Sequence, residues 1–252
     1  MIKINFHFNL QLPAKASSSA NPSLTLILMI LWSALSIRCN HPAEEPSPAL
    51  NSESQILDYQ ALPSLAWENA SKETRPWSLH IFQTLWENDS ELLSQNPEDA
   101  SEFCPTYGSL AKLQRLEFWA HLITAITKFE SSYRPQLRYL ETTLGLDSIT
   151  GEPVVSEGLL QLSYQDSKIY KNCQFVWNQD RELARDDPRK SILNPLINLT
   201  CGISILNAQI KNKGRISLSQ GAYWSVLKIG HANSRLAEIK SSLAATSVCQ
   251  RL

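Results

Sequence analysis

Glu130 is the side chain whose type and position most suggest chemistry. The sequence places it in the last turn of a helix, beside the negative end of the helix dipole. Ile126, Phe129 and Tyr133 surround it with apolar and aromatic groups. Both effects disfavour the charged form of a carboxylate. An acid kept protonated near neutral pH can donate a proton to a leaving oxygen, a glycosidic oxygen included. Taken alone, Glu130 reads more simply as a solvated side chain at a frayed helix end.

The helix that would carry it is plain in the pattern. Leu110, Leu113, Leu116, Trp119, Ala120, Ile123, Ala125 and Ile126 recur at three-to-four spacing. Ser109 is the expected N-cap, and Pro135 forces the helix to end before residue 134. A stretch with Gly145, Gly151, Pro153 and Gly158 around Val154 and Val155 follows, and it predicts short strands and turns over 138–162. Ser163-x-x-Asp166 predicts a capped helix start. Asn194-Pro195 predicts another, running to Lys213 before Gly214 and apolar nearly all round. Ser217-x-x-Gln220 predicts one ending near Gly230, and a last helix carries Leu236, Ile239 and Leu243. Residues 67–93 also look helical. The expected fold is mainly α (α+β), with a small β insertion beside the Glu130 helix.

Ahead of these elements the chain changes character. Residues 1–43 hold Lys3, Lys15 and Arg38 but no acid, and an apolar run of about 12 residues, Leu24 to Leu35, lies between the cations. A membrane-spanning helix needs about 20, so 1–38 is expected to be a secretory signal. Residues 39–56, rich in Pro, Ser and acid, are expected to be a flexible tether. Residues 57–100 are expected to form an N-terminal helical extension, and 101–252 the main domain. Ala34-Leu35-Ser36 suits ordinary cleavage. Cys39 offers a second route, lipidation and membrane attachment, although Arg38 departs from the small residue such signals carry. The exported chain would then lie in the periplasm, on the outer membrane or outside the cell.

Cysteine arithmetic fits export. Setting Cys39 aside, four cysteines remain, enough for two disulfides in an oxidising compartment. Cys173 and Cys201 flank a polar loop that a bond would pin. Cys104 and Cys249 would tie the chain end to the domain entry. The pairs expected are Cys173–Cys201 and Cys104–Cys249. No CxxC occurs and the five histidines are scattered, so no metal site is expected. Gly is scarce, no phosphate-binding Gly motif occurs, and a net charge of −1 gives no footprint for nucleic acid. No cofactor is expected.

Four strings occur in order: ESSYRP at 130–135, EGLLQLS at 157–163, NPLINLTCGISIL at 194–206 and QGAYWSVL at 220–227. Over about residues 105–245 this order resembles the soluble lytic transglycosylases and goose-type lysozymes, muramidases of the lysozyme-like superfamily. The resemblance implies a lysozyme-like fold and Glu130 as the catalytic acid, with Ser131 near the substrate. It implies that Gly158, Leu159, Leu160 and Gln161 line the cleft floor, and that Asn198 and Gly202 belong to a structural helix behind it. Tyr223 matches the family's site tyrosine. Trp224 replaces the family's Asn, and its indole is read as a face that could stack on a sugar. A transglycosylase manages with one Glu, because the sugar's own hydroxyl attacks. A hydrolase needs a second carboxylate. Glu141, after LRYLE, is the favoured second acid over Asp147, Glu152 and Glu157, with an exposed hairpin charge as the other reading of it. Trp177 could flank the cleft, while core packing suits Trp119 and the remaining tryptophans.

The expectation is therefore an exported, monomeric peptidoglycan β-1,4 glycosidase acting on glycan strands between N-acetylmuramic acid and N-acetylglucosamine. The alternatives are a glycan-binding protein that keeps the fold without catalysis, or an envelope scaffold that holds a partner on its N-terminal helices.

Overall fold

Asn194 and Pro195 begin the most apolar segment of the chain, and the structure shows why that start is firm. The side chain of Asn194 accepts from the backbone N–H of Leu196 and Ile197, and Pro195 opens the helix with no N–H to satisfy. Gly214 ends it in the left-handed conformation, φ 66°. This computed structural model describes residues 57–88 and 90–250. The expected signal, the tether and Cys39 lie outside the described residues.

In chain order the elements are α1 (Arg75–Gln83), α2 (Ser90–Ser94), α3 (Ala100–Phe103), α4 (Lys112–Ser131), β1 (Arg138–Leu140), β2 (Val155–Glu157), α5 (Asp166–Ile169), α6 (Trp177–Asp180), α7 (Pro195–Lys213), α8 (Leu236–Ala244) and α9 (Ser247–Gln250). A π-helical turn, Thr84–Asn88, follows α1, and short 3-10 turns fill several connections. The two strands pair antiparallel, with Arg138 opposite Glu157, Tyr139 opposite Ser156 and Leu140 opposite Val155. The architecture is mainly helical with one small sheet directly after α4, as the glycine and valine pattern suggested.

The core gathers around α4. Leu116, Phe118, Trp119, Leu122, Ile123 and Ile126 are buried, and the helix packs on α1, α2, α8 and α9. Tyr107, Phe118 and Trp119 meet edge to face, with ring centroids 4.8–5.9 Å apart. Residues 58–100 belong to the same compact unit as residues 101–250. Trp67 is fully buried, donates from its indole N–H to Ser78 Oγ at 2.8 Å, and sets its ring edge against Tyr133. The N-terminal segment thus touches the turn that follows Glu130.

Two expected helix starts fall elsewhere. Ser109 does not cap α4; its hydroxyl donates to the Thr106 carbonyl. The helix opens at Lys112, and the Gln114 side chain reaches back to accept from the Ala111 N–H at 2.8 Å. Ser217 starts no helix either. Its N–H and hydroxyl both donate to Asp99 Oδ2, and the segment that follows contains only a 3-10 turn, Ser225–Leu227.

His121, on α4, gives the fold an acid sensitivity. Burial pushes its imidazole down to about 4. The unfolded chain would take up a proton near pH 6.5, while the folded chain resists until about pH 4. Protonation therefore favours unfolding across that window, and stability falls as pH falls. Between pH 7 and 4.5 this group should cost about 2 kcal/mol. Urea midpoints of the wild type and of His121→Gln at both pH values check it. The wild type should lose more than the variant, and equal losses would refute the assignment.

Candidate active site

The backbone around Glu130 bends more sharply than a helix end requires. Glu130 occupies the last turn of α4 and is 5% exposed. Ser132 and Tyr133, immediately beyond, both adopt positive φ (53° and 62°). Left-handed backbone is uncommon for residues other than glycine, and a consecutive pair costs strain that the surroundings must hold. The Arg134 N–H and Nε both donate to the Ser131 carbonyl at 3.2 Å and lock the reversal. Among the described residues one other non-glycine has positive φ, Gln161 (50°). All three strained positions thus lie in the strings ESSYRP and EGLLQLS.

The EGLLQLS loop is fastened from behind by α7. The Leu160 N–H donates to Asn198 Oδ1 at 2.9 Å, and Asn198 Nδ2 donates to the carbonyls of Glu157 and Ile192. Gly158 is held at φ 79°, where an added Cβ would lie 2.4 Å from Asn198 Nδ2. At Gly202 a Cβ would meet Leu160 Cδ1 at 2.1 Å, so glycine lets the leucine seat directly on the helix. Asn198→Ala would leave the Leu160 N–H and the Ile192 carbonyl buried without their partner, while the Glu157 carbonyl keeps the Leu162 N–H. We expect a loss of about 3 kcal/mol in urea denaturation. An unchanged midpoint would show that the loop does not depend on Asn198.

Several residues named from the sequence do structural work here. Ser131 is buried and its hydroxyl donates to the Thr127 carbonyl at 3.2 Å, back along its own helix, not toward a ligand. Gln161 is buried, and its amide N–H groups donate to the carbonyls of Leu137 and Gly158 at 3.0 and 2.9 Å. Leu160 packs on Gly202. Trp224 offers no face for stacking: it is 2% exposed and its indole N–H donates to the Leu160 carbonyl at 2.9 Å. Gln161 and Trp224 share a reason: the loop needs its backbone carbonyls satisfied, and these two side chains satisfy those of Gly158 and Leu160.

Tyr223 does face the site. Its hydroxyl donates to Asp166 Oδ2 at 2.5 Å, and its ring meets Tyr170 and Trp224 edge on. Burial, the Asp166 carboxylate, Tyr170 and Glu130 together raise the phenol well above its ordinary range, so it stays protonated. Glu130 is close enough to contribute to that shift. Asp166, read from the sequence as a cap, also accepts from the Ser163 N–H, so it links the EGLLQLS loop to Tyr223. Sequence reading missed this second role because its partner lies 57 residues away.

Glu141, read as either a second acid or an exposed hairpin charge, is buried. It follows β1 and accepts from Ser156 Oγ at 2.6 Å. Side chains alternate along a strand, so Tyr139, Glu141 and Ser156 share one face of the hairpin, and Arg138, Leu140 and Glu157 the other. Glu157 is buried and paired to Arg138 Nε. Burial raises its carboxyl against the opposing pull of Arg138. Asp147 is spent on the N–H groups of Ile149, Thr150 and Gln165. Among the described residues no three His, Cys, Asp or Glu side chains gather as metal ligands.

With this geometry in hand, comparison gives the family. No family profile matches the chain, and no curated protein does. A solved structure of Bd0314 DslA, a Bdellovibrio protein, matches with a TM-score of 0.62 at 33% identity, over 74% of this chain and 97% of that one. The chain belongs to the DslA family. Two further DslA structures carry a glutamate-to-glutamine replacement each and match with TM-scores of 0.61 and 0.60, again at 33% identity over 73% of this chain and 96% of that one. The two replaced DslA glutamates are eleven residues apart. The described chain of this family member carries two disulfides, Cys104–Cys249 and Cys173–Cys201, which are bonds of an oxidising environment. No helix among its described residues is long and apolar enough to cross a membrane.

Proposed function

We propose that the chain is an exported peptidoglycan β-1,4 glycosidase with a lysozyme-like fold, in which Glu130 is the general acid and Glu141 the second carboxylate. One observation carries the reading. Two buried glutamates, one at a strained helix end and one on the adjoining hairpin, are eleven residues apart, and two glutamates at that same spacing have been replaced by glutamine in DslA. A pair of carboxylates is what hydrolysis of a glycosidic bond uses, one to protonate the leaving oxygen and one to assist at the anomeric carbon.

The chemistry follows from the surroundings. The protonated Glu130 gives its proton to the leaving sugar oxygen as the bond breaks, and the oxocarbenium-like centre is met by water directed by Glu141 or by Glu141 itself. The phenol of Tyr223, held neutral and anchored on Asp166, adds no negative charge beside Glu130. The buried Asn198 tether and the Trp224–Leu160 bond keep the loop behind the site from moving, which preserves alignment.

Products decide the reaction. Purified peptidoglycan treated with the protein and analysed by mass spectrometry should yield reducing ends, because a second buried carboxylate is present. Glu141→Gln should then lower the release of reducing ends about 100-fold. Anhydro ends released at an undiminished rate by that variant would show that Glu130 acts alone by transglycosylation. No cleavage by the wild type would overturn the assignment.

A further inference from the structure

The other face of the hairpin opens on a cleft of about 340 Å³ that contains neither Glu130 nor Glu141. Arg138, Leu140, Val155 and Glu157 form its floor, and the loop from α6 to Lys190 forms its far wall. Lys190 is the unusual member. It is 4% exposed, yet it lines the cleft. Among the described residues its ammonium makes no hydrogen bond and has no carboxylate within 4.0 Å. The nearby acids are already engaged: Asp180 with Tyr164 and Ser191, Glu157 with Arg138, Asp187 with Arg189. Glu157 and Asp187 still act on the ammonium through space, but neither meets it directly, so its N–H donors are open to a ligand that enters the cleft.

The rest of the lining indicates which anion. Arg138, Arg181, Arg185 and Lys190 are set against Asp147, Glu152 and Glu157. A doubly charged phosphate would face three carboxylates. A ligand with one carboxylate on a partly apolar body sets less charge against them, and Trp177, half-buried and edge-on to Tyr164, and Leu140, 55% exposed, offer apolar surface beside the cations. We propose that this cleft binds the free carboxylate of a short peptide, with the Lys190 ammonium as counter-ion and the Trp177 ring as apolar wall.

The test uses the full chain, calorimetry and the Trp177 indole resonance in NMR. The probes are N-acetyl-alanyl-alanine as the free acid, the same dipeptide as its C-terminal amide, and inorganic phosphate. The acid should bind at least tenfold tighter than the amide and shift the Trp177 resonance. Lys190→Met should abolish the difference between acid and amide. Glu130→Gln should bind the acid as the wild type does, which separates this site from the glycosidase reading. Equal binding of acid and amide, no binding of the acid, or a preference that survives in Lys190→Met would overturn the proposal. Phosphate displacing the acid at lower concentration would overturn the peptide as ligand. If Lys190→Met does not fold by circular dichroism, the wild-type resonance decides: an acid-induced shift that bypasses Trp177 overturns the site.

Discussion

Glu130→Gln should clear peptidoglycan at least about 100-fold more slowly than the wild type, the usual contribution of a general acid. The replacement keeps the size and polarity of the side chain and removes the proton it can give. Its fold should be intact, because nothing else in the last turn changes: Ser131 still back-bonds to Thr127, and the strained pair Ser132–Tyr133 is still held by Arg134 and by the ring of Trp67. The two measurements belong together. Turbidity of a peptidoglycan suspension reads activity, and urea denaturation reads the fold. Near-wild-type clearing would remove Glu130 from the mechanism. Lost clearing with a large drop in the urea midpoint would assign it a structural role instead. Only lost clearing with an unchanged midpoint supports the general acid.

What the sequence made legible divides along a physical line. Helices α4 and α7 were readable because their signals are local: apolar side chains at three-to-four spacing, Asn194-Pro195 at one start, Gly214 at one end, Pro135 beyond the other. The hairpin was readable from glycines at turns. Starts that depend on distant partners were not. Ser217 has the type and spacing of a cap, but Asp99, 118 residues away, takes its N–H and hydroxyl. Trp224 shows the same limit at the site. The family resemblance suggested a ring open to a ligand, whereas the fold uses its N–H to satisfy a buried carbonyl. Gln161 was drawn inward for the same reason, while Ser131 back-bonds within its own helix. For Glu141 the sequence left burial and exposure open, and the Ser156 hydroxyl opposite is what makes a buried carboxylate tolerable. That Lys190 lacks a direct partner had no signature at all, since it rests on which acids other side chains have already claimed.

Removing the Cys104–Cys249 bond should destabilise the protein more than removing Cys173–Cys201. The first closes a loop of 145 residues and the second one of 28. Loop-closure entropy in the unfolded chain then gives upper estimates of about 5 and about 3.5 kcal/mol. The surroundings reinforce the order. Cys249 lies on α9, which packs against α4, and its carbonyl accepts from Thr106 Oγ1 at 3.3 Å, so the bond holds the chain end against the helix that carries Glu130. Cys201 lies within α7, whose caps and apolar packing hold it without the bond. The double replacements Cys104→Ala/Cys249→Ala and Cys173→Ala/Cys201→Ala avoid leaving a lone thiol. Their urea midpoints, against the wild type under non-reducing conditions, give the comparison. The first pair should lose the more stability, and because α9 rests on α4 it should also lose activity at temperatures where the second pair stays active. A larger loss from Cys173–Cys201 would mean that pinning the segment 174–200, not closing the long loop, is what the bonds contribute.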